Sequence, residues 1–94
     1  MKIYICGDKK DELLFDRATE RIISDGNVPI DPRLICQAFP DGGVTVSDVV
    51  VVLYEVIRIS DAIVLMDGWE QDFMARLEKE QARRLEREII DWTN

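Results

Sequence analysis

The stretch Asp61-Ala62-Ile63-Val64-Leu65-Met66-Asp67-Gly68 decides how the rest of the chain folds. Five apolar residues run without polar alternation between an acid and an Asp-Gly turn. A run of this length and continuity is the pattern of a strand buried on both faces, which belongs to a parallel sheet covered by helices. The residues after the turn support that assignment. From about residue 72 to residue 92 the chain is charged and amphipathic, with Met74, Leu77, Leu85, Ile89 and Trp92 along one side of a predicted helix and paired charges on the other.

On the amino-terminal side of the strand, residues 47–60 hold a run of valines that favours a strand by propensity. Ser47 and Asp48 are suited to a helix start, however, and the segment is too long for an ordinary strand, so a helix is expected. Residues 31–43 carry two prolines and two glycines and are expected to form a loop with about one helical turn, the element best placed to move over a site. Val28-Pro29-Ile30 suits only a brief edge strand, because Pro29 has no N–H to donate. Leu14, Ala18 and Ile22, with Phe15 beside them, give residues 11–24 a helical stripe that stops at Asp25-Gly26-Asn27. Ile3-Tyr4-Ile5-Cys6 is a second apolar run, ending at Gly7.

The resulting order is β-α-β-loop-α-β-α in one domain over residues 1–94, with no repeat and no linker. The fold class is α/β: a minimal flavodoxin- or Rossmann-like three-layer sandwich with a short parallel sheet and flanking helices. In such sheets ligands lie beyond the carboxyl ends of the strands. Residues 7–10, 31–33 and 67–72 are expected to converge there.

Composition narrows the chemistry. Nineteen acidic residues against 12 basic ones leave a net charge of −7, a poor balance for holding a phosphate backbone, so no nucleic-acid partner is expected. The absence of histidine removes the commonest neutral-pH base and the commonest zinc ligand. Cys6 and Cys36 have no metal-site spacing, and neither a metal nor a cofactor is expected. With no signal-type or membrane-spanning apolar segment, a soluble cytoplasmic protein is expected. A chain of 94 residues has little stability to spare, which makes a homo-oligomer reasonable.

Three groups of residues can carry a function. Gly7-Asp8-Lys9-Lys10 after the first strand reads either as an anion-contacting turn, through backbone N–H groups and lysines, or as an ordinary capped helix start, with Asp8 arguing for the second. Gly68, Trp69 and Glu70 lie on the strand-to-helix turn, where the indole of Trp69 can stack on a base or pack against a helix or a neighbouring subunit. Asp72 and Glu78 begin the last helix. A nucleophilic carboxylate beside a second acid is the arrangement that cleaves glycosidic bonds, whereas an acid on a charged helix is more often solvated.

The segment from Ser60 through Glu70, followed by Ala75-Arg76-Leu77-Glu78-Lys79-Glu80-Gln81-Ala82, resembles the nucleoside 2-deoxyribosyltransferase-like superfamily, and most closely its small, often phage-encoded DUF4406-type branch. Ile3-Tyr4-Ile5-Cys6-Gly7 and Gly26-Asn27-Val28-Pro29 match the same pattern. The resemblance implies that Glu78 attacks the anomeric carbon of a nucleoside and that Asp72 steadies the sugar or the leaving base. It also implies that a tyrosine near Tyr4 belongs to the site and that Cys6-Gly7 opens the loop for sugar or phosphate. Departures are visible: Phe73-Met74 stand where relatives carry glycine, and Leu53 stands where they carry an aspartate. Three functions are compatible with these residues: an enzyme acting on the N-glycosidic bond of (deoxy)nucleosides or their monophosphates; a non-catalytic, phage-type protein that sequesters a nucleotide-derived signal; and an oligomeric interaction domain.

Overall fold

The computed structural model describes residues 1–38 and 46–94, with Val46 described by its backbone alone. The last part of the expected 31–43 loop therefore lies outside the described residues. The elements are β1 (Lys2–Cys6), α1 (Glu12–Ser24), β2 (Val28–Ile30), α2 (Pro32–Gln37), α3 (Val46–Arg58), β3 (Ala62–Leu65), a 3-10 turn (Trp69–Gln71), α4 (Phe73–Arg84) and β4 (Glu88–Asp91). The four strands form one parallel sheet in the order β2-β1-β3-β4. This is the expected α/β sandwich.

The two central strands divide their side chains between the faces. Ile3 and Ile5 of β1, with Ala62 and Val64 of β3, pack against Phe15, Ala18 and Ile22 of α1. Tyr4 and Cys6, with Ile63 and Leu65, meet Ile57 of α3 and Ala75 and Ala82 of α4 on the opposite face. Strict alternation along each strand produces this division, and helices on both faces account for the unbroken apolar runs.

Three expectations need correction. The last helix does not run to Trp92. It ends at Arg84, and Glu88–Asp91 forms a fourth strand beside β3. The helix stops in a left-handed residue, Glu86 at φ 56°, with Glu86 N–H on the Arg83 carbonyl and Arg87 N–H on that of Ala82. That is the hydrogen-bond pattern usually built on glycine. The inward stripe of α4 is Ala75, Glu78 and Ala82, with Met74 and Leu77 only half-buried. Small alanines let the helix backbone sit close on the sheet, close enough for the Cys6 thiol to donate to the Ala75 carbonyl at 3.2 Å. Finally, residues 46–58 form the expected helix α3 with Asp48 in its first turn, but it begins at Val46, so Ser47 lies inside that turn and is not its cap. Residues 32–37 are helical with Asp31 as the cap, its carboxylate accepting the Arg33 N–H at 3.0 Å.

Candidate functional site

β1 lies between β2 and β3, so the chain leaves it in one direction through α1 and returns on its other side through α2 and α3. The carboxyl ends of β1 and β3 therefore flank the point where the winding reverses, which is where sheets of this class open a crevice. Gly7 lets the two ends approach: a Cβ there would stand 3.1 Å from Met66 Cβ.

Glu78 reaches this point from the second turn of α4 and is 1% exposed. One carboxylate oxygen accepts the Lys9 ammonium at 2.6 Å, and the other accepts the hydroxyl of Tyr4. Tyr4 is fully buried, and the Lys9 side chain is 16% exposed, so the lysine forms the outer wall of the pair. Burial pushes the Glu78 carboxyl above its ordinary range, while the Lys9 charge and the two hydrogen bonds pull it back and nearby Asp72 adds to the rise. Burial likewise pushes the Tyr4 hydroxyl well above its usual range, reinforced by the Glu78 charge and hydrogen bond. A carboxylate removed from water yet met by a cation and a hydroxyl is a costly arrangement that folding alone does not require.

Asp72 is the N-cap of α4, with Oδ2 accepting the Ala75 N–H at 2.8 Å. Among the described residues its Oδ1 makes no hydrogen bond. Cys6 is fully buried, and burial beside Glu78 holds it as a thiol. Cys36 of α2 lies within electrostatic reach of Lys9 and Glu78, and its thiol too is pushed up by burial.

The Gly7–Lys10 turn is largely self-satisfied. Asp8 accepts the Lys10 N–H at 3.0 Å, and Asp11 caps α1 by accepting the Leu14 N–H at 3.2 Å. Lys9 is engaged on Glu78. On the other rim, Gly68 adopts a left-handed φ of 89° and Glu70 is exposed. Trp69 is half-buried against the α3–α4 apolar cluster, with Lys79 Nζ 5.4 Å from its ring centre. Asp67 is bound by Asn94, whose backbone and side-chain N–H groups each donate at 2.8 Å. The structure thus brings Tyr4, Cys6, Gly7, Lys9, Asp72 and Glu78 together, and sets Gly68, Trp69 and Glu70 along the adjoining strand-to-helix turn.

The two departures noted in the sequence have separate outcomes. Leu53 is fully buried in the core, and Glu55 faces away to pair with Arg58 at 2.9 Å, so neither brings a carboxylate to Glu78. Phe73 is 61% exposed and Met74 beside it is half-buried, both on the first turn of α4. Among the described residues no cluster of three or more His, Cys, Asp or Glu side chains is placed to hold a metal ion.

Residues 1–91, which contain every group that meets at Glu78, match the family described as Domain of unknown function (DUF4406). The chain belongs to the DUF4406 family. A search of curated proteins finds no match to it. No helix among the described residues is long and apolar enough to cross a membrane.

The Lys9–Glu78 pair leaves no trace in the local sequence, because its partners lie 69 positions apart. Tyr4 had a signal of its own: a hydroxyl in the middle of a buried apolar strand needs a partner inside the protein.

Proposed function

We propose that this DUF4406 chain binds a nucleoside or nucleotide at the carboxyl ends of β1 and β3 and cleaves or transfers its N-glycosidic bond through Glu78. The observation that carries the reading is the Glu78 carboxylate itself, buried at the sheet's reversal point and held by Tyr4 and Lys9. In this mechanism a Glu78 oxygen forms a bond to the anomeric carbon as the carbon–nitrogen bond breaks. The base leaves with the bonding pair and takes a proton from water. Water, or a second base, then attacks the resulting glycosyl ester and returns Glu78 to its carboxylate form. Asp72 offers Oδ1 to a sugar hydroxyl while its Oδ2 stays on the helix cap. Trp69 and Gly68 border the base, and the Cys6–Lys9 turn borders the sugar or its phosphate.

The engagement of both Glu78 oxygens favours a second reading, in which the same crevice retains a nucleotide-derived ligand without turnover. One experiment separates the two. The protein is incubated with deoxynucleosides, their monophosphates and NAD-derived cyclic nucleotides, and free base and retained ligand are both quantified. Base release by the wild type that is abolished in Glu78→Gln supports the enzyme. Retention with no base released supports the binder. If neither base release nor retention occurs, the nucleotide-type site is rejected.

A further inference from the structure

We infer that Lys9 is the positioning residue of this site: its ammonium ion holds the Glu78 carboxylate charged and fixed in orientation. Lys9 leaves β1 two residues beyond Gly7 and crosses to a helix 69 positions away, meeting Glu78 Oε1 at 2.6 Å. A lysine at a helix entrance usually extends into water, where its charge is best solvated and its side chain is free. This one is only 16% exposed, and its partner is 1% exposed. The neighbouring turn shows that it is not serving the helix terminus. Asp8 and Asp11 already accept N–H groups there, so Lys9 is not needed to complete the start of α1.

The groups facing Glu78 make the role specific. Tyr4 and Cys6 come from β1, Asp72 from the start of α4, and Cys36 from α2, with Lys9 from the β1–α1 turn. Of these, Lys9 is the one cation. Tyr4 and the two thiols are neutral, and Asp72 is a like charge. Without Lys9, burial and Asp72 would act together to favour the protonated acid, which has no lone-pair charge to offer an electrophilic carbon. The hydroxyl of Tyr4 fixes one oxygen but supplies no charge. Orientation is therefore shared by Tyr4 and Lys9, and ionisation rests chiefly on Lys9, with the Tyr4 hydrogen bond as the lesser support.

The kinetic meaning of this role rests on Glu78 acting as nucleophile, but its test does not. The Glu78 side-chain carboxyl carbon is followed by NMR across pH in the wild type, Lys9→Met and Lys9→Arg. Replacing an adjacent cation with an isosteric apolar chain is expected to raise the midpoint by about one unit or more, and arginine is expected to restore most of it. Independently of any variant, the Lys9 Nζ signal of the wild type is expected to titrate with the Glu78 midpoint, its protons exchanging faster once the carboxyl is protonated. An unchanged midpoint in folded Lys9→Met, or a Lys9 signal indifferent to Glu78 titration, overturns the proposal. If Lys9→Met does not fold, the wild-type Nζ titration decides alone. Absence of base release with these shifts intact would reject the catalytic reading and leave the role of Lys9 standing. If base release is found, the acid limb of the kcat/KM profile is expected to move upward in Lys9→Met alongside the NMR midpoint.

Discussion

Tyr4 does two things with one side chain. Its ring fills the α3–α4 face of the sheet, and its hydroxyl donates to a carboxylate that has no access to water. Tyr4→Phe keeps the ring and deletes the donor, leaving half of Glu78 without a partner. Hydrogen bonds to charged groups are worth about 1.5–3 kcal/mol, so chemical denaturation is expected to show a loss of about that size. A loss below about 0.5 kcal/mol, near the floor for ordinary hydrogen bonds, would mean that the hydroxyl is not bonded in solution. Nothing near Glu78 in sequence announces this dependence. Its neighbours Lys79 and Glu80 make the segment read as a solvated charged helix, and the groups that hold it come from the opposite end of the chain.

At the scale of elements, α1 and α4 end in the same way with different residues. In α1 the left-handed position is Gly26 at φ 82°, with Gly26 and Asn27 N–H groups on the Ile23 and Ile22 carbonyls. In α4 it is Glu86 at φ 56°. A side chain in that conformation costs about 1–2 kcal/mol, so Glu86→Gly is expected to raise stability by about 0.5–1 kcal/mol after the added chain entropy of glycine is offset. A thermal or urea midpoint that falls instead would show that Glu86 is held by something other than the turn. The contrast also explains what could be read from the sequence. Gly26 marked the end of α1, and the uninterrupted apolar runs marked β1 and β3. No glycine or proline marks the end of α4, and β4 is a largely exposed edge strand, Glu88-Ile89-Ile90-Asp91, whose charges continue the helical pattern. The close fit of α4 is testable separately. Ala82 is fully buried at the sheet, and Ala82→Leu is expected to cost about 1–3 kcal/mol through overpacking. The check is the unfolding free energy, and a neutral result would place a void beneath α4.

For the whole molecule, the buried neutral groups set the response to alkali. Tyr4 and Cys6 keep their protons in the folded protein well beyond the pH at which an unfolded chain releases them, because burial penalises their anions. An acid held protonated by the fold contributes stability that is complete below its unfolded midpoint and is lost as pH rises above it. Those midpoints lie near 8.5 for cysteine and about 10 for tyrosine. Unfolding free energy is therefore expected to fall above about pH 9, each group adding a slope of about 1.4 kcal/mol per pH unit. Urea denaturation from pH 7 to 10.5 measures the slope. Tyr4→Phe is expected to flatten the part above pH 10, and an equal slope in that variant would remove Tyr4 from the account.

The position of β1 in the middle of the sheet also bears on how the chain is made. Its partner on one side, β2, arrives after a single helix, but Ile3 pairs with Ala62 on the other side, and the Lys9–Glu78 contact closes later still. During synthesis at about 5–20 residues per second, the first strand waits several seconds for its second neighbour, and through that interval one of its edges stays unpaired. The two most apolar strands cannot meet until most of the chain exists, so their backbone amides are expected to gain protection from hydrogen exchange together and late. Assembly of the candidate crevice and completion of the fold are then one kinetic event.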